Sequence, residues 1–153
     1  MAGIDFDTIA GTKLYMSTGT PTVKEGAGAA AAFALLTWVE FGQLTSIGSI
    51  EGREYTNTSL LTVGDGQERE KKASFKLPNA EWEFAWVQED PGQILGKAAS
   101  KNFTVPSFKL VDQDLGTNYF TAQVSSFMRD GGSANDALKG KMTLLRQTDT
   151  VIA

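Results

Sequence analysis

Hydrophobic and polar positions alternate most clearly at residues 81–86, where Trp82, Phe84 and Trp86 are interleaved with Glu81, Glu83 and Ala85. A period of two puts the aromatic rings on one face of a strand and the acids on the other. The aromatic face must be buried, and at about 25 cal/mol per Å2 of apolar area it carries several kcal/mol of gross stabilisation. Asp90-Pro91-Gly92 follows at once. Asp is a good N-cap and Pro suits the first helical position. Ile94, Leu95, Ala98 and Ala99 then give the i, i+1, i+4, i+5 spacing of an apolar helix stripe. This predicts one helix over residues 91–100, stopped by Ser100-Lys101-Asn102.

Elsewhere the short β-branched and aromatic runs predict strands. The first is Leu14-Tyr15-Met16, ended by Ser17-Thr18-Gly19-Thr20-Pro21. Others are expected at 35–41 around Trp38, at 44–55 with interruptions at Gly48 and Gly52, and at 74–77 and 104–111. In the strand expected at 118–128, Phe120, Ala122, Val124 and Met128 alternate with Thr121, Gln123 and Ser125. A last strand at 138–146 follows a Gly-rich turn, so these two should pair as an antiparallel hairpin.

Three stretches fall outside this pattern. The Gly-Ala tract at 26–32 is too short and too rich in glycine to hold a helix alone. It reads as a mobile arm within a flexible segment at 17–34, or as an arm that orders against a neighbouring subunit. Residues 56–73 are polar, with Leu60, Leu61 and Val63 inside and the charge run Glu68-Arg69-Glu70-Lys71-Lys72 at the end. Structureless connections beyond about 12–15 residues are uncommon in compact domains. This one reads as a long loop that is either a solvated charged face or a clamp on a partner. Residues 148–153 read as a loose tail.

The length of 153 residues fits a single domain over 1–153, and 41% hydrophobic with 21% charged residues is an ordinary globular composition. There is no cysteine and no histidine. A disulfide framework, a thiol nucleophile, a Ser/His/Asp triad and a His- or Cys-ligated zinc site are therefore excluded within this chain. The net charge of −4 lacks the basic footprint of a nucleic-acid binder. No basic segment followed by an apolar run opens the chain, so no signal peptide is expected, and no run approaches the ~18 apolar residues of a membrane span.

Candidate chemistry is sparse. Glu81 and Glu83 share one strand face; paired carboxylates are the minimum kit of a glycosidase, and the same placement is the solvent side of a half-buried strand. Asp112 and Asp114 sit in a turn cluster. Asp130 and Asp136 lack the spacing of a calcium loop. Gly64-Asp65-Gly66 is followed by neither Gly-Lys-Ser/Thr nor a helix, so it is not a phosphate loop. These residues describe a β-rich domain with no cofactor site and no convincing active site.

The order of features from about Leu14 to Arg146 resembles the major tail tube proteins of long-tailed, siphovirus-type bacteriophages with flexible, non-contractile tails (the lambda-like tail tube family). The resemblance rests on the early Leu-Tyr strand, the Gly-Ala loop, and Phe41-Gly-Gln-Leu-Thr-Ser-Ile-Gly-Ser-Ile-Glu-Gly-Arg-Glu-Tyr55. It continues through the long polar loop, Trp82-Glu-Phe-Ala-Trp86, the Asp90-Pro-Gly-Gln93 helix start and the final hairpin. It implies a mainly β fold: a small antiparallel β-sandwich or barrel with one short flanking α-helix and long loops, whose inner strands join neighbouring subunits in a ring. It further implies a homo-oligomer of stacked, hexameric rings forming a virion tail tube. Such a tube conducts double-stranded DNA without binding it specifically and is assembled in the bacterial cytoplasm. Tape measure, tail terminator and tip proteins are the implied partners, with no membrane insertion. Tube subunits of contractile tails or type VI secretion, head–tail connectors, and an acidic glycoside hydrolase using Glu81 and Glu83 are the rival readings. On the tube reading, Glu51, Glu54, Thr121, Gln123 and Ser125 are candidates for the lumen. Leu60, Leu61, Asp65, Glu68, Arg69, Glu70, Lys71 and Lys72 are candidates for contacts between subunits or rings. An acidic lining would repel phosphate where a basic one would hold it.

Overall fold

The structure is a computed structural model that describes residues 10–64, 66–112 and 116–153. In chain order these form β1 (Lys13–Ser17), α1 (Ala29–Ala34), β2 (Val39–Phe41), β3 (Leu44–Ser46), β4 (Glu54–Leu61), β5 (Glu68–Lys76), β6 (Ala80–Ala85), α2 (Pro91–Ala99), β7 (Ser107–Asp112), β8 (Gly116–Asp130), β9 (Lys139–Arg146) and β10 (Val151–Ile152). All strand pairs are antiparallel.

Among the described residues, ten strands and two short helices make a mainly β fold, with two faces of sheet enclosing one core. The first sheet runs β2-β1-β7-β8, and β10 adds to the start of β8. The second runs β8-β9-β6-β3. β8 has 15 residues and belongs to both sheets: residues 116–121 pair with β7 and residues 122–130 with β9. A register shift between Val124 and Ser126 marks a bulge in its distal half, the usual device for bending a strand. At the opposite corner β2 passes into β3 through Gly42 and Gln43, and Gln43 takes a positive φ of 65°.

The inward positions are those that the alternation predicts up to Val124; beyond it the bulge reverses the register, so that Phe127 turns inward and Met128, expected on the buried face, is 58% exposed on the outer one. Leu14, Met16, Phe41, Phe108, Leu110 and Phe120 face Ala80, Trp82, Phe84, Val124, Met142 and Leu144 across the core. Phe41 meets Phe84 edge-on at 5.1 Å, and Phe108 stacks on Phe120 at 5.4 Å.

The expected helix is present as α2, and it closes the corner between β2 and β3. Asp90 is its N-cap: the carboxylate accepts from Gln93 N–H at 3.0 Å and from Gly42 N–H at 3.2 Å. Gln93 is 4% exposed. Its Oε1 accepts from Val87 N–H at 3.0 Å, and its Nε2 donates to the Ala85 carbonyl at 2.9 Å. Only glycine fits at 92, because a Cβ there would lie 2.4 Å from Phe41 Cα and 2.5 Å from the Glu40 carbonyl oxygen.

Several expectations need correction. Residues 56–73 are not a loop; they belong to the hairpin β4–β5, because backbone pairing from Glu54↔Lys76 out to Leu61↔Glu68 satisfies the polar main chain without any core contact. The Gly-Ala tract is not a free arm: α1 is docked by Phe33, which is fully buried and stacks on Tyr119 at 5.1 Å. The tail at 148–153 is held as well. Thr148 is buried against Thr121, Val151 pairs with Tyr119, and Arg53 forms an ion pair with Asp149. The strands expected at 35–41 and 44–55 shrink to β2 and β3, since the chain between Ala34 and Val39 turns after α1 and that after Ser46 leaves the sheet. Asp65 and Asp114 lie outside the described residues.

Candidate assembly interface

The β4–β5 ribbon is the largest feature that the core does not explain. Every residue of both strands is exposed. At about 3.3 Å per residue, eight paired residues extend roughly 25 Å. A two-stranded ribbon without a packed face is marginal on its own, and this one is fastened at its base. Tyr55 and Phe75 pair across the strands at 5.6 Å, with Lys72 over the Tyr55 ring and Arg53 over the Phe75 ring, each within 5 Å. The side-chain hydrogen bond from Arg53 holds the Asp149 carboxyl below its ordinary value, and the same contact raises the guanidinium.

Toward the tip the chemistry changes. Strand alternation puts Thr58, Leu60, Arg69 and Lys71 on one face, and Ser59, Leu61, Glu68 and Glu70 on the other. Leu60 and Leu61 are 68% and 61% exposed, and Val63 in the turn is fully exposed. Thr-rich strands with scattered charge keep such an edge soluble, and Leu60 on one face, Leu61 on the other and Val63 in the turn leave aliphatic side chains in water at the far end of the ribbon.

The second sheet presents a different surface. The outer face of the first sheet is covered: Phe33 and Trp38 lie on Tyr119, and Lys109 sits over Tyr15 and Trp38. Burial there lowers the Lys109 pKa. Among the described residues, no other helix or strand covers the outer face of the second sheet. The register places Gln123, Ser126, Met128 and Asp130 of β8, Lys139, Lys141, Thr143 and Leu145 of β9, and Glu81 and Glu83 of β6 on it. Its two margins are β3 and the distal half of β8, which has no sheet partner on the β7 side beyond Thr121.

Beside that second margin is an apolar cleft of about 350 Å3 between α2 and the end of β6. Trp86, Val87, Ile94, Ala98 and Phe127 line it, with Lys97 and Lys101 at its side. Lys97 and Arg129 both approach the Trp86 ring at 6.0 Å.

These features sort the sequence candidates. Gln123 and Ser125 lie in the distal half of β8, and Gln123 donates to the Phe103 carbonyl at 3.2 Å. Thr121 is 1% exposed and cannot line a lumen, because its hydroxyl and amide are both engaged by Thr148. Glu51 and Glu54 are exposed near the root of the ribbon, Glu54 at 3.9 Å from Lys76. Leu60, Leu61, Glu68, Arg69, Glu70, Lys71 and Lys72 are all on the ribbon. Glu81 and Glu83 stand on an open sheet face, Glu83 at 3.8 Å from Lys141, and neither lines a cleft among the described residues. No group of three acids is placed to hold a metal ion, and no helix is long and apolar enough to cross a membrane, among the described residues. The cleft was missed because it joins residues 86–101 to Phe127. The apolar stripe expected through Ile94 and Ala98 is turned outward into this cleft, and α2 packs on the core through Gly92, Gln93, Gly96 and Ala99 instead.

No family model matches the sequence, and no curated protein matches it. Solved structures match in fold. A chain of the anti-feeding prophage baseplate, solved with sixfold symmetry, superposes with a TM-score of 0.63 at 9% identity, over 98% of this chain and 97% of that one. The SPP1 tail tube gives 0.62 at 15% identity, over 95% and 80%. The tail of an empty gene transfer agent particle, determined with helical refinement and C6 symmetry, gives 0.56 at 12% identity, over 76% and 86%. The chain therefore has the β fold found in tail tube and baseplate assemblies of phage-like particles.

Proposed function

We propose that this protein is a structural tail tube subunit of a siphovirus-type virion, active only as a homo-oligomer. The observation that carries the reading is the β4–β5 ribbon, which exposes Leu60, Leu61 and Val63 on a domain whose core is otherwise complete. The shared fold with chains of tail tubes and sixfold baseplates supports it. Within a ring, the distal half of β8 in one copy adds to the β3 margin of the next, so that the second sheets join into one continuous wall. The uncovered face of that sheet then lines the channel. It carries Glu81, Glu83 and Asp130 against Lys139 and Lys141. This mixed lining offers few cationic contacts to hold DNA by counterion release. Ribbons extend to neighbouring copies or rings.

A ring of a baseplate is the second reading, favoured by the match to a baseplate chain over nearly its whole length. Negative-stain microscopy of purified protein separates the two: hollow tubes support the tube, single rings the baseplate, and a persistent monomer at high concentration refutes both. Amide exchange at residues 54–76 should slow on assembly; unchanged protection there in formed tubes would remove the ribbon from the account.

A further inference from the structure

The α2 cleft and the ribbon tip carry matching chemistry. The cleft is apolar, from Trp86, Val87, Ile94 and Phe127, and is bordered by Lys97, Lys101 and Arg129. None of these three cations forms an ion pair among the described residues. The far end of the ribbon offers Leu61 and Val63, with Glu68 and Glu70 on the Leu61 face. Those two acids form no ion pair among the described residues either. Arg69 and Lys71 project from the opposite face, so only one face of the ribbon suits a cationic rim.

We propose that the cleft between α2 and the end of β6 is the receptor for the ribbon tip of a second copy of this chain. This rests on the tube reading and specifies where the ribbon goes. Leu61 and Val63 enter the cleft against Trp86, Ile94 and Phe127, and Glu68 and Glu70 meet Lys97, Lys101 and Arg129. The apolar insertion supplies the affinity, since exposed ion pairs contribute little. The charges fix which face of the ribbon docks and in which direction. Every copy carries one tip and one cleft on different surfaces, so the contact is heterologous and propagates from copy to copy.

The absence of cysteine makes the test clean. V63C and I94C variants, both at exposed positions, are purified separately and checked by circular dichroism for the wild-type fold. They are then mixed under assembling conditions with an added disulfide oxidant. A crosslinked dimer containing one of each variant is expected, because a disulfide forms only when the Cα atoms come within about 7 Å. V63C mixed with Q147C, at an exposed position beyond the far end of β9 from the cleft, should give none. Independently, K97E/K101E and E68K/E70K should each lose assembly, and the quadruple variant should regain it. Tubes that form from V63C and I94C without crosslinking, or K97E/K101E protein that assembles like wild type, would overturn the docking site while leaving the tube reading intact. Wild-type protein that does not assemble, together with V63C and I94C that give no mixed crosslink, would sink both.

Discussion

Gln93 ties three elements together, and replacing it by leucine isolates the worth of that tie. Leucine keeps an apolar body of similar size in a position that is 4% exposed. It removes a long hydrogen bond to the Gly42 carbonyl at 3.4 Å and leaves two main-chain groups without their closer side-chain partner: the Val87 N–H, held at 3.0 Å, and the Ala85 carbonyl, held at 2.9 Å. Each stranded buried group costs about 1–3 kcal/mol. The turn at 87–89 is exposed enough for water to recover part of the first cost, so Gln93→Leu should destabilise by about 2–4 kcal/mol. Urea titration followed by tryptophan fluorescence, at concentrations too low for assembly, should show the midpoint falling by about 1–2 M with an unchanged slope. The companion Gln93→Glu keeps the acceptor for Val87 but sets an oxygen against the Ala85 carbonyl. Burial and that carbonyl raise the folded carboxyl above its unfolded value of about 4.3. The folded state then binds the proton more tightly, so this variant comes nearest to wild type below about pH 4 and falls further behind it as pH rises. A Gln93→Leu protein within about 0.5 kcal/mol of wild type would refute the reasoning, since both main-chain groups would have found other partners.

Three further outcomes are expected. Gly92→Ala forces a Cβ into the Phe41 and Glu40 backbone; it should cost about 1–3 kcal/mol, read as a lower thermal midpoint, and an unchanged midpoint would mean that α2 shifts freely. Asp149 has a folded pKa held below its ordinary 3.8 chiefly by the Arg53 hydrogen bond, so its contribution is present above that value and lost as pH falls through the lower folded one. Asp149→Asn should therefore flatten the acid limb of a stability–pH curve below about pH 4 and change nothing in its neutral-to-alkaline shape. Phe33→Ala removes the fully buried anchor of α1 and should release residues 18–38 locally. Limited proteolysis should cut there before global unfolding, whereas a cut pattern like that of wild type would show that Trp38 alone holds the segment.

Much of the core was legible because one face of each body strand is buried. Trp82 and Phe84 alternate with Glu81 and Glu83, and that period survives into the structure. The Asp90-Pro91-Gly92 start was legible because capping is local chemistry. The ribbon was not, since both of its faces meet solvent and no apolar period marks it; Thr58 and Lys71 become strand residues only by pairing with each other. Nor was the docking of α1, which depends on Phe33 meeting Tyr119, 86 residues away. Thr121 was misread because a buried hydroxyl satisfied by Thr148 has the same residue type as an exposed one. Gln123 and Ser125 were placed on the distal part of β8, but the bulge beside Ser125 was invisible without its partner strand.

The long strand β8 is stitched into both walls of the domain, through β7 at its start and β9 at its end. Tension applied to either wall is thus carried through covalent backbone into the other, and the two cannot slide past one another like separate plates. A cylinder built from such units would flex where copies meet and stay stiff within each copy, with its bore kept open as the whole filament bends.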